Sequence, residues 1–165
     1  MAGYFILSTR KGDYRALAFQ GSQVYACHAQ LSGLLRTHLG QAHARLLAQK
    51  GCKVFLVGGL LRPETEAIIG AAALHSLQQY NFTKAFLGAN GVALDAGFTT
   101  PDPEEAAVKA AVVRRAREAW FLVDDSKFAR IYPAVIAELS GGAILTNHCP
   151  NPKYRQFTLV KEAAE

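Results

Sequence analysis

The amino-acid sequence predicts an α/β fold with a mostly parallel sheet flanked by helices. Two observations support this prediction. Four short apolar runs are continuous rather than alternating, which is typical of strands buried on both faces of a parallel sheet. Segments with apolar residues at helical spacing lie between them, as expected for βαβ crossovers. The four runs are residues 53–57, 83–87, 119–123 and 143–146.

Two helices are predicted between these runs, over residues 65–80 and 104–118. The second helix has several signals of a helix start. Asp102 is a candidate N-cap, Pro103 suits the first helical position, and Glu105 lies three residues after the aspartate. The pattern therefore places the start of this helix just after the loop that follows the second strand.

The first 50 residues predict a hairpin followed by a helix. Residues 4–9 and 15–19 are predicted as strands around the turn residues 11–13, residues 23–27 as a further strand, and residues 30–50 as an amphipathic helix. No internal repeat, linker or low-complexity tract is present. Residues 1–165 are therefore predicted to form a single domain, of which residues 1–50 are expected to be a divergent or truncated N-terminal part.

Composition narrows the class of protein. Of the 165 residues, 50% are apolar and 19% are charged, with a net charge of +5, which is typical of a globular and mildly basic chain. The basic cluster at residues 114–117 favours a solvated helix face. Three scattered cysteines and five histidines show no disulfide or metal-ligand spacing, so no metal or cofactor is predicted. With no signal peptide or membrane span in the pattern, we expect a cytoplasmic protein that has no membrane partner.

Each apolar run is followed by residues that suit a ligand-binding loop. In open α/β sheets, ligands bind beyond the carboxyl ends of the strands, and parallel strands bring these ends to one edge. Glycine permits positive φ and close backbone approach, although turn geometry alone also explains such glycines. The loops are Gly58-Gly59, Gly88-Ala-Asn-Gly91, Asp124-Asp-Ser-Lys127 and Thr146-Asn-His148. We expect a polar ligand at this edge.

Three features near the edge each have two interpretations. Thr99 and Thr100 offer hydroxyls beside a helix N-terminus, where an anion is favoured, or they belong only to the helix cap. Lys127 holds a phosphate as a point charge, or it pairs with a neighbouring aspartate. Glu105 and Lys109 are one helical turn apart, so they reach into a pocket together or form an ordinary surface pair.

The ordered motifs resemble the C-terminal effector-binding domain of DeoR-type bacterial transcription regulators over residues 53–150. The motifs are Val57-Gly-Gly-Leu-Leu-Arg62, Lys84-Ala-Phe-Leu-Gly-Ala-Asn-Gly91, Gly97-Phe-Thr-Thr100, Glu105-Ala-Ala-Val-Lys109, Asp125-Ser-Lys-Phe128 and Ile144-Leu-Thr146. The resemblance implies a fold similar to sugar-phosphate isomerases and coenzyme A transferases. It also implies a homo-oligomer that binds a phosphorylated sugar or related metabolite, which releases the regulator from its operator. The implied effector contacts are Gly58, Gly59, Gly88, Asn90, Gly91, Thr99, Thr100, Glu105, Lys109, Asp125, Ser126 and Lys127.

The N-terminal part departs from the family pattern in two ways. Residues 1–50 show no helix-turn-helix, so DNA binding is expected only through a domain absent from this chain. Residues 21–29 stand where the family has an Asp-x-Gly-Thr-Thr phosphate loop but lack its threonine pair, and residues 36–38 are a possible remnant of a second polar turn. The favoured function is a ligand-sensing domain that is not an enzyme. The alternatives are an isomerase-like enzyme using Glu105, Asp124, Asp125 and Lys127, and a degenerate binding or oligomerisation module.

Overall fold

A computed structural model of the chain describes residues 5–9, 13–18, 53–63, 65 and 67–162. The strands in this part of the chain are β1 (Phe5–Thr9), β2 (Asp13–Ala18), β3 (Lys53–Leu56), β4 (Leu60–Leu61), β5 (Ile68–Ile69), β6 (Phe82–Gly88), β7 (Gly91–Ala93), β8 (Gly97–Thr100), β9 (Ala116–Leu122), β10 (Ala134–Ala137), β11 (Ala143–Thr146) and β12 (Val160–Glu162). The helices are α1 (Ala71–Gln78) and α2 (Pro103–Arg115), and short 3-10 turns cover Asp125–Lys127, Leu139–Gly141 and Pro152–Gln156.

A four-stranded parallel sheet forms the centre of this part of the chain. Its strand order is β12-β11-β9-β6, and each neighbouring pair is parallel. Three of its strands correspond to predicted apolar runs, and their core-facing residues include Leu87, Phe121 and Ile144, which are fully buried. The predicted α/β class with a mainly parallel sheet is therefore confirmed.

A second layer is built from antiparallel strands in the order β10-β8-β7. It packs on the parallel sheet through Phe98 of β8, whose ring stacks on that of Phe121 at a centroid distance of 3.6 Å. Both side chains are fully buried. Because β7 directly follows the loop after β6, this packing holds the predicted glycine-rich loop against the end of the central sheet.

The N-terminal strands form a separate hydrogen-bonded ladder in the order β1-β2-β3. Strands β1 and β2 are antiparallel, which confirms the predicted hairpin, and β2 and β3 are parallel. Strand β1 lies alongside β6. The predicted strand at residues 23–27 and helix at residues 30–50 lie outside the described residues.

Both predicted helices differ from the structure at one end. The first begins at Ala71 rather than at residue 65, because Ile68 and Ile69 are extended and pair with β4, and Gly70 then has a φ of +91°. The second ends at Arg115 rather than at residue 118. Its C-cap, Ala116, is extended and starts β9, where it pairs with Phe82 of β6. In both places, strand pairing overrides a helical sequence pattern.

Helix α2 carries the side chains that link the layers. It packs against α1, β6, β8 and β10 through an apolar face that includes Ala106, Val108, Ala111 and Val112. Arg115 departs from the predicted solvated basic face, since its guanidinium donates to the carbonyls of Gln78 (2.5 Å) and Tyr80 (2.6 Å) at the end of α1. Within the described residues, neither helix has the length and apolarity needed to cross a bilayer.

Candidate functional site

The register of the parallel sheet aligns three of the four predicted ligand loops. Gly88, the last residue of β6, lies opposite Leu122, the last residue of β9. Leu122 in turn lies opposite Leu145 of β11. The residues that follow these positions, namely 89–91, 123–127 and 147–148, therefore leave the sheet side by side at its carboxyl edge.

The fourth loop follows β3, whose described pairing is with β2. Strand β2 pairs in turn with β1, and β1 lies alongside β6 of the central sheet. That this loop lies at the same edge as the other three stays a prediction. Its described contacts are made by Gly59 and by the residues after it.

The loop after β6 is closed by hydrogen bonds to β8. The amide of Asn90 donates to the carbonyl of Thr99 (3.0 Å), and the hydroxyl of Thr100 donates to the Asn90 side-chain oxygen (2.9 Å). The Thr99 hydroxyl accepts from the amide of Tyr132 (3.1 Å). Both threonines are fully buried. The structure thus brings Gly88, Asn90, Thr99 and Thr100 into one fixed unit.

Two glycines of the predicted loops, Gly59 and Gly91, allow close packing. A Cβ at Gly91 would collide with the carbonyl of Arg130 and lie 2.7 Å from the Thr99 hydroxyl. A Cβ at Gly59 would lie 2.6 Å from Ile68 Cγ2, whereas Gly58 has open space. Among the described glycines, positive φ occurs at Gly70 and Gly97, so the glycines of the predicted loops do not use the positive φ that glycine permits.

The N-terminus of α2 is occupied by its own N-cap, as predicted. The Asp102 carboxylate accepts from the amides of Glu104 (2.7 Å) and Glu105 (3.2 Å). These two amides are therefore not available to an anion, and the carboxylates of Asp102 and Glu104 add negative charge there. Asp102 is therefore the N-cap, whereas the described hydrogen bonds of the Thr99 and Thr100 hydroxyls are to Tyr132 and Asn90. A ligand contact of the two threonines stays a prediction.

Glu105 and Lys109 form a buried ion pair rather than a surface pair. Lys109 Nζ lies 3.4 Å from Glu105 Oε2, and each side chain is only 3% exposed. Burial lowers the pKa of Lys109 from its ordinary value of 10.5, while the carboxylates of Glu105 and Asp102 oppose this shift. The other carboxylate oxygen of Glu105 is buried without a hydrogen-bond partner, which is costly unless a donor reaches it.

The turn after β9 is held by side chains that flank the predicted contacts. Asp124 accepts from the amide of Ser126 (2.9 Å) and from its hydroxyl. Asn147, which follows β11, accepts from the amide of Asp125 (2.9 Å) and donates to its carboxylate (3.1 Å). Lys127 Nζ is 3.9 Å from Asp124, an ion-pair separation too long for a hydrogen bond, so the ammonium keeps donors for a ligand.

A bridge ties this turn to the loop after β6. Val92 pairs with Phe128, and the Val92 carbonyl accepts both from the amide of Ala129 (2.8 Å) and from the Tyr154 hydroxyl (3.0 Å). Burial raises the pKa of Tyr154 from its ordinary 10.0, and the hydrogen bond from Ala129 opposes the shift. Lys127 therefore lies next to a segment that is fixed to the hairpin β7–β8.

Sequence reasoning missed the supporting residues of the site. Asn147 was visible as a polar residue at a strand end, but its role depends on the register of β9 with β11. Tyr154 lies far along the chain from the loops that it supports, and no motif in the neighbouring sequence indicates its role. In the part of the chain that the structure describes, no cluster of three or more His, Cys, Asp or Glu side chains is arranged to hold a metal ion.

The fold and site define an α/β domain whose polar loops gather at the carboxyl edge of a parallel sheet. A family model described as the DeoR C terminal sensor domain matches residues 35–147. Since this match covers well over half of the 165 residues, the chain belongs to the DeoR sensor-domain family. The predicted family is therefore confirmed.

Three relatives have names that describe regulators. FruR of Bacillus subtilis (strain 168), an HTH-type transcriptional regulator, is 40% identical over 125 residues, which are 74% of this chain and 50% of FruR. The HTH-type transcriptional regulator GlpR of Haloferax volcanii is 36% identical over 84 residues (51% and 33%). The glycerol-3-phosphate regulon repressor of Escherichia coli (strain K12) is 32% identical over 85 residues (52% and 34%). The chain thus spans half or less of the length of these relatives.

Proposed function

We propose that this DeoR-type sensor domain binds a phosphorylated sugar or a related phosphorylated metabolite at the carboxyl edge of its parallel sheet. The observation that carries the proposal is the register Gly88–Leu122–Leu145, which sets the loops after three strands side by side. Ligands of open α/β sheets bind at such an edge. One of the relatives is named as a repressor of a glycerol-3-phosphate regulon, which supports the same ligand class here.

The described residues have different proposed roles in binding the ligand, according to their chemistry. Lys127 supplies a positive charge for the phosphate, because its ammonium is only loosely paired with Asp124. Asp125, Ser126 and Asn90 supply polar atoms for sugar hydroxyls. Gly88 allows the ligand to approach the backbone, Gly91 lets its loop pack closely on Arg130, and Gly58 and Gly59 form a further wall.

The buried pair contributes in a different way. Glu105 has an unpartnered carboxylate oxygen, and a sugar hydroxyl is the donor that suits it. Lys109 holds the other carboxylate oxygen in place from one turn along the helix. Thr99 and Thr100, whose hydroxyls are engaged with Tyr132 and Asn90, shape the loop from behind.

In the complete regulator, we further propose that effector binding controls a DNA-binding segment that is separate from the sensor domain. This proposal follows from the names of the relatives, which describe HTH-type regulators of about twice the matched length or more. The same proposal places the protein in the cytoplasm as a homo-oligomer that does not convert its ligand.

A thermal-shift screen with phosphorylated hexoses, pentoses and polyols tests the proposed function. We expect at least one sugar phosphate to raise the midpoint of unfolding, while the matching free sugar and inorganic phosphate have smaller effects. Incubation of the bound sugar phosphate with the protein should leave it unchanged. Absence of a shift with every compound at millimolar concentration would refute binding, and aldose–ketose conversion lost in Glu105→Gln would show an enzyme instead.

A further inference from the structure

We infer that Arg62 is a positioning residue that fixes the Gly58-Gly59 loop against the start of α2. The inference rests on the proposed function, because it assigns Arg62 the task of joining two walls of the proposed site. Arg62 lies three residues after Gly59, and its partner Asp102 lies three residues before Glu105. Arg62 itself is not proposed to touch the ligand.

The guanidinium of Arg62 spans both acidic side chains at the helix start. Its Nε lies 2.8 Å from Asp102 Oδ2, and one terminal nitrogen lies 3.2 Å from Glu104 Oε2. The Nε contact is an ion pair, since its N–H is not aimed well enough at the oxygen to count as a hydrogen bond. Asp102 is the less exposed carboxylate, at 15% against 52% for Glu104, so it is the stronger electrostatic partner.

The two carboxylate oxygens of Asp102 have different partners. One of its oxygens caps α2 through the amides of Glu104 and Glu105, and the other faces Arg62. The cap fixes the carboxylate with respect to the helix, and the ion pair fixes Arg62 with respect to the carboxylate. A short chain of contacts thus runs from the helix that carries Glu105 to the segment that carries Gly59.

Two further contacts hold the segment that carries Gly58 and Gly59. Among the described residues, the strand before it, β3, pairs with β2. The backbone amide of Arg62 donates to the carbonyl of Ala67 (2.8 Å), which closes the β4–β5 hairpin. Gly59 packs against Ile68 and Ala73, which anchors the loop from the other side.

We call the contacts of Arg62 with Asp102 and Glu104 the clamp. Because Arg62 is 40% exposed, we expect the clamp to act mainly on the local order of the Gly58-Gly59 loop and on affinity. The matched variants are Arg62→Ala, Asp102→Asn and the double variant. Asparagine is as good an N-cap as aspartate, so Asp102→Asn removes the charge and keeps the helix start. Lys84→Ala is the control, because it breaks a surface ion pair with Glu118 (3.3 Å) that lies away from the proposed site.

Hydrogen exchange of the ligand-free protein tests the clamp directly. We expect faster amide exchange over residues 58–63 in Arg62→Ala and in Asp102→Asn, with no further increase in the double variant. Lys84→Ala should exchange as the wild type does, and Arg62→Lys should restore part of the protection. Unchanged exchange over residues 58–63 in Arg62→Ala would overturn the inference.

Calorimetry with hexose monophosphates separates this inference from the proposed function. If the clamp positions the loop, Arg62→Ala should weaken binding by roughly three- to thirty-fold while the midpoint of thermal unfolding stays near that of the wild type. An unchanged affinity would overturn the positioning role. If the wild type itself binds no sugar phosphate, the proposed function fails, and the exchange data still decide whether Arg62 holds the loop.

Discussion

Lys109 Nζ lies 3.4 Å from Glu105 Oε2, one helical turn away, and both side chains are buried to 97% or more. Two opposite charges in such a place stabilise each other only while both are present, because each has lost its hydration. The pair occupies the face of α2 that packs on the core, next to Ala106 and Val108. A packing position held by charged groups indicates a use other than stability.

Replacement of one member of the pair should be strongly destabilising. We expect Glu105→Gln to lower the free energy of unfolding by about 3–5 kcal/mol, because it removes the buried carboxylate that is paired with the buried Lys109 ammonium. The neighbouring Glu104→Gln should cost no more than about 1 kcal/mol, since that carboxylate is half exposed. Urea denaturation of both variants measures the difference. Equal effects would show that burial of the pair is not a major factor.

The lowered pKa of Lys109 predicts a specific dependence of stability on pH. Between the folded pKa and the unfolded value of 10.5, the unfolded chain binds more protons at this site than the folded one. The contribution of Lys109 to stability therefore increases as the pH rises toward 10.5 and is lost as the pH falls through the folded pKa.

The difference in unfolding free energy between the wild type and Lys109→Met separates the pH dependence due to Lys109 from that due to other groups. Tyr154 acts in the opposite direction, because its raised pKa makes its contribution fall as the pH rises above its unfolded value of 10.0. Urea denaturation of both proteins between neutral and alkaline pH should show the wild type gaining stability relative to Lys109→Met. A pH-independent difference would contradict the account of the buried ammonium.

Two glycines of the proposed site should respond differently to the same substitution. Gly91→Ala should destabilise the fold by about 2 kcal/mol or more, because its Cβ meets the Arg130 backbone, which cannot move away as a flexible side chain would. Gly58→Ala has free space and should change stability by less than about 1 kcal/mol. Loss of ligand affinity in Gly58→Ala at near-normal stability would place the ligand against this loop. A larger loss of stability in Gly58→Ala than in Gly91→Ala would contradict the packing described here.

Replacement of Ala129 by glycine should increase the stability of the fold. It has a φ of +56°, in the left-handed region, two residues after Lys127. Since this conformation costs a non-glycine residue about 1–2 kcal/mol and glycine loses about 0.5–1 kcal/mol in chain entropy, Ala129→Gly should stabilise by roughly 0.5–1 kcal/mol.

The same substitution at Ala107 provides the control with the opposite sign. Ala107 is exposed in the interior of α2, so glycine there should destabilise by about 1 kcal/mol. Thermal denaturation of the two variants compares them directly. Destabilisation by Ala129→Gly would show that the turn tolerates its alanine without strain.

Local sequence patterns predicted the elements whose signals are local. The continuous apolar runs predicted β6, β9 and β11 because strands buried on both faces need no polar alternation. Asp102 and Pro103 predicted the start of α2 within one residue, since a helix cap is formed by neighbouring groups. The helix boundaries near Gly70 and Ala116 were wrong because they depend on which strand each segment pairs with.

The loops of the proposed site could be predicted from the sequence, but the contacts that their side chains make in the fold could not. The residues of the Gly88–Gly91 and Asp125–Lys127 loops follow strands and are polar or small, which local reasoning can detect. The burial of Glu105 with Lys109, the anchoring of Asp125 by Asn147 and the hydrogen bonds of Tyr154 depend on distant parts of the chain. No pattern within a short window carries that information.

Calorimetric titration of the sugar phosphate with the largest thermal shift into the wild type, Lys127→Met and Lys153→Met tests the proposed binding site most directly. Lys153 is an exposed lysine outside the proposed site and serves as the control. We expect one site per chain in the wild type and Lys153→Met, and an affinity lower by about 10- to 100-fold in Lys127→Met, because a charged hydrogen bond to the phosphate is lost. An affinity for the sugar phosphate that is the same in all three proteins would contradict the proposed site.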